Sequence, residues 1–221
     1  MEPSFRIHRA RLCARLEQLF QEGRAACREY SVRCSRTALL GHRGTNGRSG
    51  LYHKWVEVAI LLGSPSIRVH VPQGKISDDI SCAVDSLKSL AEYGAQKNIV
   101  INLENDDPAS ENPYCVLKVI ETVNSRYLRA LPDFCNSRQL GDEAYNDKAL
   151  AALFPHAYDI SHVKDMETGE KGKVWRVDVD RIFTIAKRAG YRGYFSMEWE
   201  GLGDPYDGTR HLIEQSATAL S

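Results

Sequence analysis

The stretch Asn98 to Asp107 reads NIVINLENDD, and the rest of the chain is organised around it. An apolar run, Ile99-Val100-Ile101, passes through Asn102 and Leu103 into Glu104, Asn105 and two aspartates. A buried strand that delivers a carboxylate at its C-terminal end is the usage of a parallel α/β barrel, whose reactive groups gather at that face. Three later segments repeat the form. Tyr127 to Asn136 presents Asp133, Ala157 to Asp165 presents His162, and Tyr194 to Glu200 presents Glu198. The intervals between the four groups are 29, 29 and 36 residues, and about 30 residues is one strand plus one helix with its loops. Four successive strands would therefore supply two Glu, one Asp and one His. Such a hard, mostly oxygen donor set suits Mn²⁺, Mg²⁺ or Co²⁺, with Zn²⁺ as the alternative.

Outward from these strands the chain alternates. Leu51, Trp55, Val58, Ala59 and Leu62 mark one helix face stopped at Gly63, before a short strand over Ser66 to Val71. Ile80, Val84, Leu87, Leu90 and Ala91 mark a second helix, from Asp79 to Tyr93, expected to end at Gly94. Ile182, Phe183, Ile185 and Ala186 mark a third, over Val179 to Ala189, ending at Gly190. Helices over Pro113 to Asn124 and Asp142 to Leu153 flank the Asp133 strand, and a terminal helix is expected over Thr209 to Leu220. The pattern is a βα repeat with strands at 32–40, 66–71, 98–104, 127–133, 157–163 and 194–199. Six strands are fewer than the eight of a complete barrel, which typically needs about 250 residues.

Residues 1–50 differ from residues 51–221. They carry ten Arg but no Lys and no Asp. Leu12, Leu16, Leu19 and Phe20 predict an amphipathic helix over Arg9 to Glu29, and residues 41–50 read as a loop. The arginines suit either a solvated helix face or a basic patch for a phosphorylated ligand. We read one domain of 221 residues. Lys+Arg and Asp+Glu both total 29, so no net field draws nucleic acid or an anionic membrane. No apolar run is long enough to span a bilayer, and no signal-peptide pattern is present. Six cysteines without a CxxC or a regular framework suit a reduced, cytoplasmic protein.

The chain resembles the xylose isomerase-like TIM barrels, the sugar phosphate isomerase/epimerase superfamily that includes AP-endonuclease relatives. The matching words are LLGSPSIRVH (61–70), IVINLEN (99–105), LPDFCN (131–136), HVKD (162–165) and GYRGYFSMEWEG (190–201), in order and in register. The resemblance implies a (β/α) TIM-type barrel lacking its first two βα units, which leaves unpaired strand edges and invites homo-oligomers. It implies metal ligation by Glu104, Asp133, His162 and Glu198. Glu104 and Glu198 would also exchange protons with a sugar or sugar phosphate through an enediolate. Against this stand ordinary uses of the same residues: surface acids for the two glutamates, an Asx turn for Asp133, a core histidine for His162.

Substrate contacts are expected from Asn136, Lys164, His70 and Trp199. Asn136 could instead cap a helix, Lys164 pair with Asp165, His70 lie at an exposed edge, and Trp199 pack on the terminal helix. Two departures from the family matter. Ile160 stands where a second His is frequent, which makes a site with more zinc ligands less fitting. Cys135 stands where close relatives carry Gly, beside Asn136. Rival readings are an inactive barrel remnant, a lyase of the inositol-dehydratase type, and a metal phosphodiesterase.

Overall fold

The computed structural model describes residues 30–31, 49–70, 80–106, 112–169 and 172–221. The expected helix over Arg9 to Glu29, the strand at 32–40 and most of the loop at 41–50 lie outside the described residues. In chain order the elements are β1 (Tyr30–Ser31), α1 (Ser49–Leu62), β2 (Ser66–Val69), α2 (Ser81–Lys97), β3 (Val100–Glu104) and α3 (Pro113–Val123). There follow β4 (Leu128–Leu131), α4 (Glu143–Leu153), β5 (Ile160–Val163), β6 (Met166–Thr168), β7 (Val174–Arg176), α5 (Val179–Arg188), β8 (Tyr194–Met197) and α6 (Pro205–Leu220).

Six of the described strands form the wall of a parallel barrel. β1, β2, β3 and β4 pair in that order, and β5 pairs with β8. The two sheets join where His162 N donates to Pro132 O and Phe134 N donates to His162 O. Among the described residues no pairing connects β8 back to β1, so the barrel is open there. All five residues of β3 are buried, as expected for a strand covered on both faces. Helix packing follows the 3.6-residue period: Tyr52, Val56 and Ala59 of α1, and Leu87, Leu90 and Ala91 of α2, face the sheet. Phe134, just past β4, is the aromatic hub, with ring centroids 5.2 Å from Phe183, 6.0 Å from Phe195 and 6.3 Å from Phe154.

Three expectations are corrected. α2 does not stop at Gly94; it runs to Lys97 and ends on Asn98, at φ 56°. Gly94 serves a close approach instead, because a Cβ there would run into the Ile99 carbonyl oxygen. α6 begins at Pro205, not Thr209, with Asp204 accepting from the Tyr206 and Asp207 amides and proline at the first helical position. Between β5 and α5 an antiparallel hairpin, β6 with β7, was not expected.

α5 shows how local signals place these helices. Asp178 accepts from Arg181 N at 3.0 Å, Lys187 and Arg188 occupy the last turn, and Ile182, Phe183 and Ala186 are buried. Asp178→Ala should cost about 1 kcal/mol in urea unfolding. An unchanged midpoint would show that the cap contributes nothing.

Candidate metal centre

Glu104 is the last residue of β3 and is fully buried. The next residue, Asn105, ties the ends of two strands together. Its Oδ1 accepts from Asp133 N at 2.9 Å, and its Nδ2 donates to Ser137 Oγ at 2.9 Å and Asp133 O at 3.3 Å. Asp133 follows β4 and turns the chain into a short 3₁₀ segment, Asn136–Gln139. Its Oδ1 accepts from the amides of Cys135 (2.9 Å) and Asn136 (2.7 Å). That is the Asx-turn use of an aspartate, and it consumes only one oxygen. His162 lies within β5, held because Ser161 Oγ on the opposite face donates to Pro132 O. Glu198 follows β8, where its amide donates to Val163 O.

The four side chains converge. One ligand atom from each of Glu104, Asp133, His162 and Glu198 lies within 4.8 Å of all the others. His162 Nδ1 stands 2.8 Å from Glu104 Oε1 and 2.9 Å from Glu198 Oε2. Neither of these two oxygens makes a hydrogen bond of proper geometry, and Asp133 Oδ2, also buried, has no hydrogen-bond partner. Buried carboxylate oxygens left without a well-formed hydrogen bond are costly. A divalent cation with ligands at about 2.0–2.2 Å keeps such atoms within about 4.4 Å of one another, so the cluster is of the right size to hold one. The donor set, three oxygens and one imidazole nitrogen, fits a hard divalent ion.

The electrostatics agree. Burial pushes Asp133 up to about 7, with Glu198 and Glu104 adding to the rise against Lys164 and His162. Burial also opposes ionisation of Glu198, but His162, Lys164 and Arg68 outweigh it and hold the carboxyl at about 2. Glu104 likewise falls below its ordinary value, burial being outweighed by His162, Arg68 and His70. Glu104 and Glu198 favour the ionised form, whereas Asp133 holds its proton up to about neutrality, at about 7. A cation would displace that proton and complete the set.

The remaining sequence candidates fall around this cluster. His70 is buried beside it, with Nε2 3.8 Å from Glu104 Oε2 and Nδ1 3.2 Å from Asp106 Oδ2. Lys164 is 1% exposed. Its ammonium lies 3.1 Å from Asn136 Oδ1, 3.0 Å from Glu167, 3.2 Å from Glu200 and 3.9 Å from Glu198. Asn136 is buried and keeps its Nδ2 without a hydrogen bond. Trp199 is half-buried with its indole against Gly201 and Gly208, where a Cβ would overlap the ring. Cys135 is buried, and burial together with Asp133 pushes its thiol up, so it stays protonated.

Sequence reasoning passed over four residues that the fold brings here: Arg68, Asn105, Glu167 and Glu200. The signal for Arg68 was alternation, since it shares a strand face with His70. Glu167 and Glu200 reach Lys164 from the hairpin and from the turn after β8, and no spacing rule links them.

The chain is thus a parallel (β/α) barrel with a strand-end cluster able to hold a metal ion. The family model of the xylose isomerase-like TIM barrel matches residues 7–219, and the chain belongs to that family. No curated protein matches it. Among solved structures, a xylose isomerase-like TIM barrel protein from Mycobacterium smegmatis in complex with magnesium has a TM-score of 0.68 at 16% identity, covering 100% of this chain and 80% of that one. L-ribulose 3-epimerase has a TM-score of 0.75 at 15% identity, covering 93% and 78%. D-allulose 3-epimerase from Methylomonas sp., in complex with D-allulose, has a TM-score of 0.67 at 18% identity, covering 86% and 75%. At these identities the likeness concerns the fold. No helix among the described residues is long and apolar enough to cross a membrane.

Proposed function

We propose that this chain is a divalent-metal-dependent isomerase or epimerase acting on a sugar or sugar phosphate. The observation that carries the reading is the convergence of Glu104, Asp133, His162 and Glu198 within 4.8 Å, with three buried carboxylate oxygens lacking hydrogen bonds. These four residues would hold the cation, with Mn²⁺, Mg²⁺ or Co²⁺ preferred by the oxygen-rich set. The bound ion would supply Lewis-acid polarisation of a substrate carbonyl, which makes the adjacent C–H acidic enough for a carboxylate.

The chain's own groups do the proton work. Glu198, with its side chain 28% exposed, can take a proton from one face of a substrate carbon. Glu104, 2.8 Å from His162 Nδ1, would serve the opposite face; because it rests ionised, it delivers a proton there only after taking one up from solvent, and that delivery inverts the carbon. A single glutamate carrying the proton between neighbouring carbons would give aldose–ketose isomerisation instead. Asn136 Nδ2, buried and without a hydrogen bond, would donate to a sugar hydroxyl. Lys164 would act by holding Asn136, because its three protons already face Asn136, Glu167 and Glu200. A lyase on a related polyol would use the same ligands.

The metal phosphodiesterase reading gains one specific observation. His70, Glu104 and Asp106 form a second group able to hold an ion, sharing Glu104 with the first, and paired metals serve phosphoryl chemistry. The neutral net charge gives no help toward a nucleic-acid substrate.

The test is elemental analysis of the dialysed protein together with proton exchange. We expect one divalent ion per chain and Mn²⁺-dependent incorporation of deuterium from D₂O into a ketose such as D-allulose, read by NMR. Two ions per chain without exchange would favour the phosphodiesterase. A well-folded chain without metal would overturn both.

A further inference from the structure

Arg68 is the third residue of β2, and its side chain is only 13% exposed. One of its nitrogens, Nη1, lies 2.8 Å from Glu104 Oε2, 3.2 Å from His162 Nδ1 and 3.8 Å from Glu198 Oε1. A guanidinium has donors and no acceptor, and it stays charged at any relevant pH. Its contact with His162 can be a hydrogen bond only if Nδ1 is unprotonated and offers its lone pair. A cation ligated by Nδ1 needs that same lone pair.

The alternative protonation state brings no relief. If Nδ1 carries a proton, it can donate to only one of the two glutamate oxygens that stand 2.8 and 2.9 Å away, and the Arg68 N–H then faces another N–H. In either state at least one of the three close contacts to His162 Nδ1, from Glu104, Glu198 or Arg68, is left without a hydrogen bond. A divalent ion among the carboxylates, with Arg68 drawn back onto Glu104 Oε2, satisfies all three.

We propose that Arg68 is an internal counter-cation that competes with the divalent metal for Glu104 and His162, and so sets how tightly the site takes metal. The inference rests on the reading of the four-residue cluster as a metal site. Without the ion, Arg68 balances the buried carboxylates. With the ion bound, its positive charge opposes a second one a few ångströms away. Arg68 is thus a positioning residue, acting on substrate only through the metal.

The experiment compares wild type with Arg68→Met, Arg68→Gln and Arg68→Lys, all prepared with Mn²⁺ present throughout and then stripped by chelator. Mn²⁺ dissociation constants are read by chelator competition, and melting temperatures with and without Mn²⁺. Removing a unit charge this close to a divalent ion should tighten Mn²⁺ binding about tenfold or more in the Met and Gln variants, while Lys stays near wild type. The uncharged variants should also melt lower than wild type without metal, and saturating Mn²⁺ should close that gap.

Unchanged or weaker binding in both uncharged variants overturns the competition while leaving the metal site standing. So does a variant that fails to fold even in Mn²⁺, because the ion should replace the lost charge. If wild type and variants all fold and bind no Mn²⁺, the metal reading itself has failed.

Discussion

Glu198→Gln should abolish stoichiometric metal binding and lower proton exchange by about 10³-fold or more, while the barrel remains folded. Gln matches Glu in size, and the Glu198 side chain is partly solvated, so the substitution opens no cavity. What it removes is charge. The Glu198 carboxyl is held at about 2 because His162, Lys164 and Arg68 outweigh the effect of burial. The anion is therefore the favoured form, and in the proposed scheme an amide cannot replace it either as ligand or as base.

The sign of the stability change is fixed by the same shift. A folded value below the ordinary 4.5 contributes stability that is present above about pH 4.5 and lost as pH falls toward 2. Metal-free wild type should exceed the Gln variant in stability at neutral pH, and the two should converge in acid. Glu198 is also one of the groups that raise Asp133, so the variant should let that carboxyl fall from about 7. Elemental analysis, exchange NMR and melts from pH 2 to 8 check the three parts. Full metal occupancy in the variant would remove Glu198 from the ligand set and with it the proton-transfer scheme.

The parts of this site that were legible in the sequence are those tied to a period. Glu104, Asp133, His162 and Glu198 lie at or near the C-terminal ends of strands spaced by βα units, so the register of the barrel brings them together whatever the intervening helices contain. Gly94 misled because a glycine near a helix end signals a stop, and here the helix runs past it so that the Ile99 carbonyl can approach. The start of α6 is marked in the sequence by Asp204-Pro205, a cap followed by proline, but Gly201, Gly203 and Gly208 around them are loop signals.

Arg68 was passed over for a different reason. An arginine in a strand reads as solvated unless its partner is known, and Glu104 lies 36 residues away. Glu167 belongs to a hairpin, β6–β7, whose short strands are half-exposed and carry no apolar alternation. The division at residue 50 rests on composition, and nearly all of residues 1–50 falls outside the described part of the chain.

Lys164→Met should destabilise the metal-free protein by about 3 kcal/mol, the lower end of the range for breaking a buried ion pair. The lower end applies because Glu200, one of its partners, has its side chain 42% exposed and can be rehydrated. Glu167, 12% exposed, and Asn136 cannot. Burial alone would drive the lysine to lose its proton, yet Asp133, Glu198, Glu167 and Glu200 outweigh burial and hold it above its ordinary 10.5.

With the folded value raised, this contribution is fully present below pH 10.5 and lost only as pH climbs through the folded value. The penalty of the Met variant should therefore not fade up to about pH 9, and it should grow as pH rises through about 7, where Asp133, which Lys164 helps to ionise, titrates. That direction separates Lys164 from Glu198, whose contribution fades only in acid. It follows from the wiring of the site: Lys164 joins β5 to the hairpin through Glu167, to the turn after β8 through Glu200, and to the Asp133 loop through Asn136. Urea unfolding at several pH values is the measurement. A difference of only a few tenths of a kcal/mol would mean that the ammonium makes up for none of the repulsion among these carboxylates. The cluster would then owe its geometry to the β-sheet register alone.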